Sequence, residues 1–247
     1  MIVAGFDLET EWLDPVDPTK ARIWETAVVL WDTNDNVPLM FESDLIWQDD
    51  YIYDPRMKIQ KDHLETYATW PLNALDRVRK AFELCDAIVA HNGKDFDKVV
   101  IEAEFKRNGM GKVPKKLWID TMFDVPFPDH IDTRKLEFLG TAHGFLNPFA
   151  HRAIFDVCAM LRVCSAYSWD EIIGRARTPE MYIVGDVTPP WNDQGKSVAE
   201  AKTLGYRFDP ETKNWFKKIK ENELDEQRRL ASFRVGTWNT KTKELNK

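Results

Sequence analysis

Near the start of the chain, apolar positions gather in short runs. Ile2–Glu9 is short, apolar and partly β-branched, and Ile23–Leu30 and Met40–Trp47 repeat that character on either side of the turn Asp32-Thr33-Asn34-Asp35-Asn36. These runs predict a three-strand meander. From Pro71 the spacing becomes helical, with Leu72, Leu75, Val78, Ala81 and Phe82 on one face, ahead of an apolar strand at Ala87–Ala90. A helix is expected over Phe96–Lys106, ending near Asn108 and Gly109, then a strand at Leu117–Thr121 after the breaker Pro114. A helix over Arg134–His143 stops at Gly144, and Arg152–Tyr167 places Ile154, Val157, Leu161 and Cys164 on one stripe. Strands alternating with helices predict an α/β fold.

After Ser168 a short helical piece runs to about Arg177, the run Met181–Val187 reads as a new strand, and Pro189–Gly195 marks a break. Two domains are therefore expected, 1–177 and 178–247. The second reads as a small α+β module. It has a helix at Ser197–Thr203, strands at Tyr206–Phe208 and Asn214–Ile219 around the turn Asp209–Lys213, and a final helix from Glu221 to about Phe233.

Hydrophobic residues make up 43% and charged residues 30%, the balance of a globular chain and not of a disordered, collagen-like or membrane-spanning one. The opening Met1–Thr10 lacks the basic head and small-residue cleavage site of a signal peptide, so a cytoplasmic location without membrane contact is expected. Cys85, Cys158 and Cys164 lack metal-ligand spacing, and their odd number argues against a disulfide framework. The formal charge of −7 is unevenly spread: residues 201–247 hold eight Lys and four Arg against two Asp and five Glu, a surplus of +5, which leaves −12 on residues 1–200. An acidic body suits cation binding, and a basic tail suits an anionic substrate; a solvated, charged terminal helix would show the same composition.

Three acidic sites, four residues in all, stand out. Asp7 and Glu9 lie two apart on a predicted strand and so share a face, opposite Phe6 and Leu8, where their like charges repel unless a cation or a raised pKa relieves them. Asp97 falls in the first turn of a predicted helix, where the dipole and free N–H groups favour its ionised form; helix capping is the simpler role for it. Asp156 sits in an apolar helical stretch and needs a partner if it faces inward. His151 precedes it by five residues, an offset of about 140° on a regular helix. The two can serve one centre only if His151 lies in the loop or in a loosened first turn.

Taken in order, these segments resemble the motifs of the DEDDh family of 3′-to-5′ exonucleases, the group that includes the proofreading epsilon subunit of replicative polymerases and RNase T-like enzymes. Phe6-Asp7-Leu8-Glu9-Thr10 is similar to the first motif, His91-Asn92 through Phe96-Asp97 to the second, and His151-Arg152-Ala153 through Asp156 to the third. Ile23-Trp24-Glu25 and Ile119-Asp120-Thr121 resemble flanking stretches of the same family, and the likeness covers about residues 1–170. The second motif departs by one extra residue before Phe96, so Asp97 rather than Asp95 takes the ligand position.

The resemblance implies a ribonuclease H-like mixed sheet flanked by helices. It also implies that Asp7, Glu9, Asp97 and Asp156 hold two Mg²⁺ or Mn²⁺ ions and that His151 acts as general base, releasing nucleoside 5′-monophosphates from DNA, or from RNA, 3′ ends. Thr10, Trp12, Leu13, His91 and Asn92 are the substrate-binding expectations, while Glu25 and Asp120 read as structural. Single-stranded nucleic acid is the expected partner, with a homodimer or a polymerase partner left open, and a polymerase-associated proofreading or nucleic-acid-binding subunit is the alternative reading. In the second domain Tyr206, Phe208, Trp215 and Phe216 are interleaved with Arg207, Lys213, Lys217, Lys218 and Lys220, a pattern suited to a single strand and equally to a small packed core.

Overall fold

A computed structural model describes residues 1–11, 17–49, 53, 58–128, 130–131 and 133–239, together with the backbone of 244–246. The chain divides into two compact units, Met1–Ala176 and Arg177–Lys247.

In the first unit the elements run β1 (Ile2–Thr10), β2 (Ile23–Asp32), β3 (Val37–Leu45), α1 (Lys61–Tyr67), α2 (Pro71–Leu84), β4 (Ala87–Ala90) and α3 (Asp97–Arg107). They continue with β5 (Leu117–Asp120), α4 (Thr121–Asp124), α5 (Leu136–Ala142), α6 (Ala153–Cys164) and α7 (Trp169–Arg177). The sheet order is β3-β2-β1-β4-β5. β1, β2 and β3 pair antiparallel as the expected meander, whereas β4 joins β1 and β5 joins β4 in parallel. The alternation of strands and helices predicts the α/β class, and the mixed sheet is the one the family resemblance implies.

The two faces of the sheet bury different residues. Phe6, Leu8, Val28 and Ile88 pack beneath α2 and α3 with Leu75, Val78, Phe82, Ile101 and Phe105; the Phe6 and Phe82 rings meet edge-on at 5.1 Å. Val3, Ala27, Val29 and Val89 face α6 and α7, meeting Val157, Met160, Leu161, Trp169 and Ile172. Asp7 and Glu9 share the parity of Val3 and Gly5, so the strand period places them on the α6 side.

Gly5 lets α6 come close to that strand. A Cβ at Gly5 would lie 2.7 Å from Leu161 Cδ1 and 2.9 Å from Val157 Cγ1, well inside contact distance. The separation of β1, which carries Asp7 and Glu9, from α6, which carries Asp156, is thus set in part by a missing methyl group. Gly5→Ala is expected to cost about 1–3 kcal/mol through overpacking, read as a lower urea midpoint at unchanged slope.

Several expectations shift. Leu72 is 54% exposed, and the buried stripe of α2 is Ala74, Leu75, Val78, Ala81 and Phe82, because Pro71 starts the helix and its first turn points outward. α1 has no counterpart in the sequence pattern, since Leu64 is its one buried side chain and makes no stripe. α6 begins at Ala153 and ends at Cys164, shorter than the apolar periodicity at both ends.

The second unit comprises β6 (Glu180–Gly185), α8 (Pro190–Asp193), α9 (Lys196–Thr203), β7 (Arg207–Asp209), β8 (Asn214–Lys220), α10 (Leu224–Leu230), β9 (Val235–Asn239) and β10 (Glu244–Asn246). A 3₁₀ turn at Glu221–Glu223 precedes α10. Its antiparallel sheet has the order β10-β9-β6-β8-β7. The core gathers Ile183, Ile219 and Val235 from the sheet with Ala201, Tyr206, Leu224 and Phe233. The expected final helix is cut short at Leu230, where the Ser232 N–H turns to the Glu200 carboxylate and the Phe233 ring meets Tyr206 edge-on at 5.4 Å. Among the described residues no helix is long and apolar enough to cross a membrane.

Candidate active site

Strand β1 brings Asp7 and Glu9 to one side of the sheet, and the Asp156 carboxylate arrives from the first turn of α6. Ligand atoms of Glu9, His151 and Asp156 all lie within 4.8 Å of one another. Asp97 enters from the first turn of α3, 3% exposed, and its Oδ1 is buried without a hydrogen-bond partner among the described residues. A buried carboxylate oxygen left in that state asks for a cation or a proton.

The electrostatics of the four acids tie them together. Burial holds Asp7 well above the usual carboxylate range, and the charges of Asp97, Glu9 and Asp156 raise it further. Glu9 is pushed up to about 8, by burial first and then by Asp156, Glu25 and Asp97, with Arg152 opposing. Asp97 is pushed up to about 7 by burial, against the restraint of the backbone N–H groups of Asp97 and Leu8. Burial also raises Asp156, against the His151 N–H. Acids that lift one another's proton affinity in this way form a site of high negative potential when ionised, built of the hard oxygen donors that suit Mg²⁺ or Mn²⁺. The residues present therefore suit a hard divalent cation.

His151 occupies a place that helical periodicity alone does not give it. Because α6 starts at Ala153, His151 lies in the preceding loop with φ 64°, in the left-handed region that side chains other than glycine seldom adopt. Its backbone N–H donates to Asp156 Oδ2 at 2.9 Å. The ring is largely exposed, with Nε2 4.0 Å from Glu137 Oε1. The loop thus removes the angular conflict between His151 and Asp156.

The second-motif loop is held by Asp120. Its carboxylate accepts from the N–H groups of Asn92 at 3.0 Å, Lys94 at 3.2 Å and Met122 at 3.0 Å. Gly93 is required there, since a Cβ would fall 2.2 Å from the Ala90 Cβ. His91 Nδ1 lies 2.7 Å from Thr121 Oγ1, and burial holds its imidazole down to about 4, so the ring is packed beside the parallel strands as a neutral group. Asn92 is exposed, with φ 60°. Thr10 is half-buried at the end of β1, after an irregularity in register between Glu9 and Thr10. Trp12 and Leu13 lie outside the described residues.

Two contacts escape a reading of motifs. Glu25, expected as a structural residue, faces Glu9 directly across β1 and β2, fully buried, and is neutralised by Arg152 Nε at 3.0 Å. Asn147 Nδ2 donates to Asp156 Oδ1 at 2.6 Å while Asn147 Oδ1 accepts from the Phe149 N–H at 3.1 Å. The signal for the latter is the dipeptide Asn147-Pro148, a turn initiator whose asparagine closes on the backbone two residues ahead.

In the second unit the sheet register divides the basic and aromatic residues. Tyr206 is buried, and Lys217 is turned toward the core side, its Nζ bonded to Gln227 Oε1 at 2.8 Å and 5.9 Å from the Tyr206 ring. Phe208 is half exposed and packs on Trp215 at 5.5 Å between ring centroids. On the opposite face Phe216 meets Trp238 at 5.0 Å, and Lys218 and Lys220 both bind Glu180, at 2.9 and 3.0 Å.

No family model matches the chain, and no curated protein matches it. Solved structures do share its fold. A zinc-bound E. coli exonuclease I in complex with single-stranded DNA superposes with a TM-score of 0.58 at 18% identity, over 77% of this chain and 48% of that one. E. coli exonuclease I in complex with a dA16 oligonucleotide gives 0.58 at 19% identity, over 77% and 48%. A moderately thermophilic exonuclease I from Methylocaldum szegediense gives 0.55 at 18% identity, over 69% and 42%. The chain spans about half the length of these structures or less. At such identity the likeness establishes the fold, a mixed α/β sheet of the ribonuclease H-like kind.

Proposed function

We propose that the chain is a divalent-metal-dependent 3′-to-5′ exonuclease acting on single-stranded DNA. The observation that carries this reading is the convergence of Glu9, Asp156 and His151 ligand atoms within 4.8 Å of one another. Asp97 from α3, its buried Oδ1 unpartnered among the described residues, and Asp7 from β1 join them, close enough for the Asp97 charge to raise the proton affinity of Asp7. The fold shared with exonuclease I structures, which hold single-stranded DNA and in one case zinc, supports it.

Asp7, Glu9, Asp97 and Asp156 would hold the ions. There the ions would supply Lewis acidity, lowering the pKa of a water and offsetting negative charge on the phosphodiester and its leaving oxygen. His151 contributes through its imidazole, which takes the proton of the attacking water; its exposure lets that proton pass on to solvent. Asp120 and Gly93 shape the loop that leads into Asp97. The second unit is assigned to gripping the strand, on the grounds of the +5 surplus over residues 201–247 and the half-exposed Phe208 beside Arg207.

The test is a digestion series with 5′-labelled single- and double-stranded DNA and RNA, with and without Mg²⁺ or Mn²⁺. Progressive shortening from the 3′ end of single-stranded DNA, release of 5′-monophosphates, loss of both on chelation and oligonucleotide binding that weakens steeply with salt are the expected results. Failure of either cation to support shortening of any of the four substrates rejects the reading.

A further inference from the structure

We infer that Asn147 is a positioning residue of this site, fastening the loop that carries His151 to the Asp156 carboxylate. The inference rests on the nuclease reading above. Three contacts build the fastening: the Asn147 amide donates to Asp156 Oδ1 at 2.6 Å, the His151 N–H donates to Asp156 Oδ2 at 2.9 Å, and the Phe149 and Phe155 rings pack at 4.8 Å. The asparagine is itself fixed at its other end, because its Oδ1 accepts the Phe149 N–H at 3.1 Å.

The arrangement has two consequences. A carboxylate has roughly four lone-pair sites, so one N–H on each oxygen defines the plane of Asp156 and still leaves a lone pair on each oxygen for a cation. The same bonds hold the left-handed backbone of His151, φ 64°, a conformation that persists only where its surroundings over-determine it. Asn147 thereby sets a ligand and a proton acceptor in one frame without touching substrate. Carboxylates that bind metal are in turn hydrogen-bonded, and loss of such a partner typically weakens metal affinity or activity by about 10–100-fold.

The experiment compares the full chain with Asn147→Ala and Asn147→Ser. Alanine removes both ends of the bridge. Serine keeps an oxygen near the Phe149 N–H but lacks the amide that reaches Asp156, so it separates a turn-forming role from a positioning one and provides a second variant should the alanine chain fail to fold. Mn²⁺ affinity is measured by the electron paramagnetic resonance of free Mn²⁺, alongside kcat and KM on a single-stranded oligonucleotide. Both variants are expected to bind Mn²⁺ about 10–100-fold more weakly and to lose kcat with little change in KM. Wild-type Mn²⁺ affinity in both variants, or its rescue by serine, overturns the inference alone. Absence of Mn²⁺ binding by the wild-type chain overturns the nuclease reading and the inference with it.

Discussion

Asp7→Asn is expected to abolish metal-dependent release of mononucleotides while making the metal-free protein more stable. Asp7 stands at the focus of the cluster: Asp97, Glu9 and Asp156 all act to raise its proton affinity. The amide keeps the shape of the side chain but removes a charge that two cations would share. Loss of several kcal/mol of charge stabilisation in the transition state corresponds to a fall of about a thousandfold or more in kcat. Without metal, the same substitution removes a buried acid held among like charges, so the urea midpoint at pH 8 should rise. A gain in stability together with lost activity separates a binding-site acid from a structural one. Retention of metal-dependent activity in a folded Asp7→Asn chain would remove Asp7 from the site.

The second large effect is a dependence of stability on pH that metal reverses. Glu9 is raised from its ordinary 4.5 to about 8, Asp97 from 3.8 to about 7, and Asp7 and Asp156 move in the same direction. Below the unfolded values both states are protonated and the site contributes nothing to the slope. Between about pH 4.5 and pH 8 the unfolded chain has released the Glu9 proton while the folded chain retains it, so stability falls as pH rises, and the share due to Glu9 levels off above about 8. Glu9 alone, moved from 4.5 to about 8, corresponds to on the order of 5 kcal/mol over that window. Saturating Mg²⁺ or Mn²⁺ binds the ionised form and should recover most of the loss, since a ligand bound at a hundred times its Kd stabilises by about 2.7 kcal/mol. Urea denaturation of the chelated and metal-loaded protein at pH 5.5 and pH 8.5 provides the comparison. Equal midpoints for the chelated protein at both pH values would show that burial and neighbouring charge do not hold these acids protonated in the folded chain.

Much of the first unit is legible in local pattern. The three-strand meander and the short strand at Ala87–Ala90 follow from apolar runs, and most of the α2 stripe from a period of 3.6. The common face of Asp7 and Glu9 follows from the strand period of two. α1 is not legible because it buries one side chain, and β9 is not because Val235–Asn239 is short and contains Gly236. The basic and aromatic residues of the second unit show the limit most plainly. Composition groups them, but strand alternation turns Lys217 inward to Gln227 and Lys218 outward to Glu180.

For the candidate site, strand period puts Asp7 and Glu9 on one face and helix starts put Asp97 and Asp156 in first turns, both local properties that neighbouring residues dictate; grouping them with His151 rests on the ordered likeness to a family's motifs. Tertiary structure decided how those groups meet. Gly5 lets α6 lie close over β1, Arg152 neutralises the glutamate that faces Glu9, and the helix begins late enough to leave His151 in a left-handed loop tied to Asp156. Each of these depends on sheet order and on packing between segments far apart in the chain. Local periodicity carries no information about such distances, whereas the energetics of a buried charge depend on them steeply.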